Sequence, residues 1–199
     1  VISGPNHAEE VAMNLPTCTT VGCTDADIGA SLRKLFSSPT FRSYSNEDLI
    51  GIEWSGAMKN IYAIAAGIIS GLKLGDNAIA ALITRALAEM IRLGEAFGAN
   101  PQTFSGLSGV GDLMTTCYSK HSRNHRVGLA LAKGLSVDEA CDQLNMVAEG
   151  VRNTQSIYEQ ARLKEIDTPL IQAVYSVLYQ GVNPDTAIKS LFTRELKAE

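Results

Sequence analysis

The sequence predicts a mainly α-helical chain: a compact multi-helix domain over residues 47–199, preceded by a small α/β segment over residues 1–46. Three observations carry this. From about Asn46 onward the apolar residues recur at helical spacing. Before it, short β-branched runs alternate with one helical stretch. Cap signals then punctuate the second part: Ser136 with Glu139, Thr168 before Pro169 and Asn183 before Pro184.

Taken in order, "VIS" and "TCTTVG" read as strands, residues 25–37 as a helix, and "FRSYS" (41–45) as a strand again. These are too few strands for an independent sheet, so the segment reads as the trailing edge of a larger one. Residues 48–72 predict one long helix. Residues 77–98 predict another, capped by Asp76 or Asn77 and ended near Gly98 and Pro101. Its apolar positions Ile79, Leu82, Ile83, Leu87, Met90, Ile91 and Phe97 keep a 3.6-residue period and mark a core face. A capping box opens a helix at Ser136, another helix covers roughly 150–163, and two more begin at Pro169 and Pro184. Six or seven helices result.

The 199 residues are 45% hydrophobic and 19% charged, which argues against disorder. With 17 basic against 21 acidic residues, the net charge of −4 advertises neither a nucleic-acid surface nor one for an anionic membrane. The longest uncharged apolar run, Ile61–Leu72, is too short to span a bilayer. Cys18, Cys23, Cys117 and Cys141 contain no C-x-x-C pair and read as reduced thiols. The chain opens on "VISGP", a strand already under way without a leader pattern, and cytoplasm is the expected compartment.

Lys59 stands out. On a helix, Gly56, Asn60, Ala63, Gly67 and Gly71 form a stripe of small residues with Lys59 at its edge. Such a stripe can serve close helix packing, with the lysine reaching to water. It can equally leave room for a ligand beside an ammonium that acts as general acid or electrostatic clamp. A second candidate is Asp112, which three glycines in "GLSGVGDLMTTC" deliver to a helix start; a capping aspartate would look the same. The third is "SKHSRNHRVG" (119–128), where Ser122, Arg123 and Asn124 offer hydroxyl, guanidinium and amide donors suited to phosphate, or else form a solvated turn. Cys117, His121 and His125 have i, i+4, i+8 spacing, but they supply three metal ligands at most in a stretch that reads as a loop. No metal is expected. His7, after "SGPN", reads as a surface turn residue. No G-x-G-x-x-G occurs in the chain.

Four segments together resemble the bacterial-type NAD(P)-dependent sn-glycerol-3-phosphate dehydrogenase family: "SGPNHAEEVA" (3–12), the run from "YSNEDLIG" through "GAMKN" to "LAEM" (44–90), "GLSGVGDLMTTCYSKHSRNHRVG" (106–128) and "VAEGVRNT" (147–154). The resemblance covers the chain nearly end to end and corresponds to the C-terminal two-thirds of that family. It implies a helical domain like the C-terminal domain of 6-phosphogluconate dehydrogenase, following a remnant of a Rossmann-type sheet. It implies reversible reduction of dihydroxyacetone phosphate to glycerol 3-phosphate, for glycerophospholipid synthesis, with NAD or NADP as cofactor. By the same resemblance Lys59 is the catalytic acid/base, and Asp112 orients it and contacts substrate. Gly4, Asn6, Asn60, Ser122, Arg123 and Asn124 bind substrate. Ala8, Arg123, Val147 and Glu149 contact the cofactor, and the chain forms a homodimer.

The family's glycine-rich Rossmann half is absent from this sequence, so the chain is expected to be inactive alone. His125 stands where the family often has a second arginine, and Ser55 where glycine or cysteine is common. Two rival readings are another two-domain hydroxy-acid or sugar-phosphate reductase, and a non-enzymatic helical dimerisation module. The latter would have no reason to keep Lys59, Asp112, Arg123 and Asn124 together.

Overall fold

A computed structural model of the chain describes residues 1–143 and 148–196. Strand β1 (Ile2–Ser3) pairs antiparallel with β2 (Thr17–Gly22), which pairs parallel with β3 (Phe41–Asn46). Helix α1 (Ala8–Ala12) joins the first two strands, and α2 (Ala26–Phe36) makes the crossover between the parallel ones. Asp25 starts α2 by accepting a hydrogen bond from the Ile28 amide at 2.9 Å. The short helix α1 was not expected from the sequence.

Helix α3 (Leu49–Gly71) is the axis of the second part, and its sequence explains why. It is apolar nearly all round: Met58, Ile61, Tyr62, Ala63, Ile64 and Ala66 are fully buried, as a helix enclosed by others requires. Around it pack α4 (Asp76–Ala96), α5 (Pro101–Phe104), α6 (Asp112–Tyr118), α7 (Arg123–Ala132), α9 (Glu149–Leu163) and α10 (Pro169–Tyr179). Helix α8 (Val137–Asp142) packs on α7, and α11 (Pro184–Phe192) on α10. No helix among the described residues is long and apolar enough to cross a membrane.

Asp48 ties the sheet end to this bundle. Its Oδ1 accepts from the Gly51 amide at 2.9 Å and caps α3. Its Oδ2 accepts from the Asn100 amide at 2.9 Å and the Thr103 hydroxyl at 2.7 Å, at the start of α5. These donors hold its carboxyl below the ordinary range, against the upward push of burial.

The capping box is present, with Ser136 and Glu139 bonded reciprocally, and Asn183 caps α11. Other details differ from expectation. Nine α-helices, three of them under eight residues, follow Asn46 among the described residues. The cap position of α4 is Gly75, not Asp76 or Asn77, and Gly75 has φ +85°, a backbone that glycine tolerates. Thr168 makes no capping bond. The acceptor is the buried carboxylate of Glu89 on α4, which takes the Leu170 and Ile171 amides at 2.6 and 3.3 Å. Helix α7 occupies the polar stretch read as a turn, because Ser122 caps it and Val127, Gly128 and Leu131 face the core.

The small-residue stripe divides along its length. A Cβ at Gly67 would collide with the His125 carbonyl, and one at Gly128 with the Ile64 carbonyl. Here α3 and α7 cross backbone to backbone. Gly71 lies under Ala132 in the same way. A Cβ at Gly56 would meet open space. Packing thus claims the lower stripe, and the upper end is open beside Lys59.

Candidate active site

The ammonium of Lys59 and the carboxylate of Asp112 form an ion pair at 2.5 Å across α3 and α6. The lysine side chain is 23% exposed and the aspartate 5%, so the charge faces an opening and its partner lies behind it. Asp112 does not cap its helix. A π-helical turn, Leu107–Gly111, runs straight into α6, and the side chain is directed at α3 instead. Gly109 allows this turn, since a Cβ there would strike the Phe104 backbone. The second carboxylate oxygen, Oδ1, accepts from the Thr116 hydroxyl at 3.1 Å, which fixes the carboxylate's rotation.

Lys59 opens into a cleft of about 610 Å3. Seven of the residues expected at the site stand on its wall or rim: Ala8, Lys59, Asn60, Ser122, Arg123, Asn124 and Glu149. Asn60 and Asn124 are buried there and bonded to each other, Nδ2 of Asn124 donating to Oδ1 of Asn60 at 2.9 Å. The Asn124 oxygen accepts from the Gly150 amide at 2.9 Å, so the pair couples α3 and α7 to the start of α9, where Glu149 stands. The Ser122 oxygen accepts the His125 amide at 3.3 Å, putting Arg123 in the first turn of α7.

Gly4 and Asn6 support the site from behind rather than lining the cleft. Gly4 has φ +149° and a Cβ there would crowd the Thr19 backbone at 3.1 Å, while Asn6 donates to the Thr19 hydroxyl at 2.8 Å. The expected contact of Val147 lies outside the described residues.

The zinc spacing fails because the chain leaves the helix at Ser119 and re-enters one after Ser122, so the three side chains do not share a face. Burial, with Asp112 adding to it, pushes the Cys117 thiol up to about 12. His125 is buried with Nε2 3.3 Å from the Ser70 hydroxyl, and burial lowers its basicity. Among the described residues no group of three His, Cys, Asp or Glu side chains could hold a metal ion. Among the cleft residues that the sequence reading did not assign to the site are His7, Glu9, Glu53, Thr116, His121 and Asn153. The adjacency of His121 to Ser122–Asn124 was an available signal.

Residues 48–189 match the family described as the C-terminus of NAD-dependent glycerol-3-phosphate dehydrogenase. The chain belongs to this family. Over all 199 residues it is 52% identical to the glycerol-3-phosphate dehydrogenase (NAD(P)+) of Nitratidesulfovibrio vulgaris strain Hildenborough and 50% identical to that of Shouchella clausii. It covers 60% and 58% of those two proteins, so it spans less than two-thirds of its curated relatives. Among solved structures, glycerol-3-phosphate dehydrogenase from Coxiella burnetii matches 98% of the chain with a TM-score of 0.94 and 44% identity, the chain covering 60% of it. The yeast enzyme matches 94% with a TM-score of 0.86 and 31% identity, the chain covering 57% of it. The helical fold is therefore that of the C-terminal part of glycerol-3-phosphate dehydrogenases.

Proposed function

We propose that the chain is the substrate-binding part of a glycerol-3-phosphate dehydrogenase that interconverts dihydroxyacetone phosphate and glycerol 3-phosphate. The observation that carries this reading is the Lys59–Asp112 pair opening into a cleft shared with Ser122 and Arg123. Reduction of a ketone builds negative charge on the carbonyl oxygen. An ammonium beside that oxygen stabilises the charge and delivers a proton from Nζ. Asp112 keeps the ammonium aimed, and Thr116 keeps Asp112 from turning away. Ser122 and Arg123 grip the phosphate end, which spends binding energy on positioning the carbonyl. Asn60 and Asn124 act here mainly by holding the wall of the cleft, and Gly4 and Asn6 by backing the loop that carries Ala8.

NADH or NADPH supplies the hydride when bound. Ala8, Arg123 and Glu149 suit one side of a dinucleotide: a small residue for close approach, a guanidinium for phosphate oxygens and a carboxylate for hydroxyls. The glycine-rich half that would hold the rest is not in this sequence, so the chain alone is expected to lack turnover. Its four free thiols suit a reducing cytoplasm, and its product class suits glycerophospholipid synthesis. A homodimer through the apolar helices is supported by a groove of about 310 Å3 between α3, α4, α10 and α11, rimmed by exposed Leu74 and Phe192.

The test joins the chain to a dinucleotide-binding half from a relative and follows NADH or NADPH oxidation. Turnover with dihydroxyacetone phosphate is expected, and Lys59→Ala should lower kcat by about a thousandfold. Turnover with a hydroxy-acid precursor in place of dihydroxyacetone phosphate would refute the reading.

A further inference from the structure

We propose that His7 and His121 form a two-imidazole clamp for the phosphate group of the substrate, an assignment that rests on the proposed reaction. The two residues come from distant parts of the chain. His7 precedes α1, where its carbonyl accepts the Glu10 and Val11 amides at 3.1 and 3.0 Å and fixes its place. His121 lies on the turn between α6 and α7, its amide donating to the Ser119 hydroxyl at 3.0 Å. Both rings line the Lys59 cleft, with centroids 6.5 Å apart and planes tilted by 57°.

The decisive detail is Nε2 of His7, which is buried without a hydrogen-bond partner. A buried ring nitrogen left unpaired is costly, and such groups in native folds call for an explanation. A ligand that brings an acceptor oxygen removes the cost. The chemistry of the surroundings selects the acceptor. His121 directly precedes Ser122 and Arg123, so the pair stands beside the donor-rich stretch of a cleft that also carries Glu9, Glu53 and Glu149. A phosphate ester offers several anionic oxygens, enough for a guanidinium and two ring N–H donors at once. Phosphoryl oxygens could come from the substrate or from the dinucleotide. Continuity with Ser122 and Arg123, which grip the substrate in the proposed reaction, favours the substrate.

The three histidines of the chain give three ring Cε1–H resonances in a proton NMR spectrum. Glycerol 3-phosphate should move those of His7 and His121 saturably, glycerol should not, and His125, bonded to Ser70 away from the cleft wall, serves as the unmoved reference. His7→Ala and His121→Ala should each weaken glycerol 3-phosphate binding about tenfold. His7→Gln, whose amide nitrogen reaches where Nε2 lies, should recover most of the loss. Shifts at the Lys59 and Arg123 amides without movement of the two rings would overturn the clamp and leave the proposed reaction standing. Ring shifts with NADH but not with glycerol 3-phosphate would assign the pair to the dinucleotide, which also overturns it. Silence at every resonance overturns it as well, while turnover by the joined protein judges the reaction separately.

Discussion

Lys59 and Asp112 function as one unit, and at the residue scale their value lies in what each does for the other. The carboxylate is nearly out of water and the ammonium is partly in it, so the pair places a cation at the cleft surface with its counter-charge behind. Removing the carboxylate's charge leaves Nζ without its anchor. Asp112→Asn in the joined protein should therefore lower kcat about a hundredfold, and the Lys59→Ala/Asp112→Asn double variant should be no slower than Lys59→Ala alone. Steady-state kinetics of the four proteins tests this, and full additivity would show that the two residues act separately. Lys59 was legible as an oddity in its small, apolar surroundings, and Asp112 as an acid delivered by glycines. Their pairing was not legible, because 53 residues separate them and no local pattern encodes a contact at that distance.

At the scale of elements, two contacts between helices carry consequences. The first is the cap of α10 by Glu89. Burial pushes this carboxyl up to about 7 from an ordinary 4.5, with the Leu170 and Ile171 amides and the Tyr62 hydroxyl opposing the shift. The same burial, with Glu89 beside it, raises Tyr62 well above its usual value. The folded chain thus holds a proton on Glu89 that the unfolded chain releases above about 4.5. Its contribution to stability is full below that pH and is lost as pH rises through about 7, on the order of 3 kcal/mol in all. Glu89→Gln keeps an acceptor for α10 and cannot ionise, so its urea midpoint should fall less than the wild type's between pH 5 and pH 8. Parallel pH dependences would refute the assignment. The second contact is the crossing of α3 and α7. Gly128→Ala should destabilise by about 3 kcal/mol in urea unfolding, because the added methyl meets a carbonyl and not a movable side chain. Helix starts at Pro169 and Pro184 were visible in the sequence, since proline and an Asx or Thr neighbour act within one turn. The real acceptor at α10 was invisible, lying 81 residues away on α4.

At the scale of the whole molecule, α3 joins the groove, the core and the cleft. Its middle is buried, its upper end carries Lys59 to the cleft, and its lower end contributes Ile68 and Ile69 to the apolar groove with α10 and α11. If that groove is the self-association face, Phe192→Glu should convert a dimer into monomers in sedimentation velocity, and a wild-type chain that sediments as monomer at every concentration would rule it out. The sequence by itself determined the helical class, the caps at Ser136 and Asn183, and the family. All of these depend on periodicity and capping within a few residues, or on motifs read in order. Only the tertiary structure decided that the small-residue stripe serves packing below and the cleft above. It alone revealed that Asn60 and Asn124 bond each other, and that His7 meets His121 with a nitrogen left unpaired. Those outcomes depend on how helices cross and which distant side chains then share a volume, and a linear pattern carries no record of that geometry.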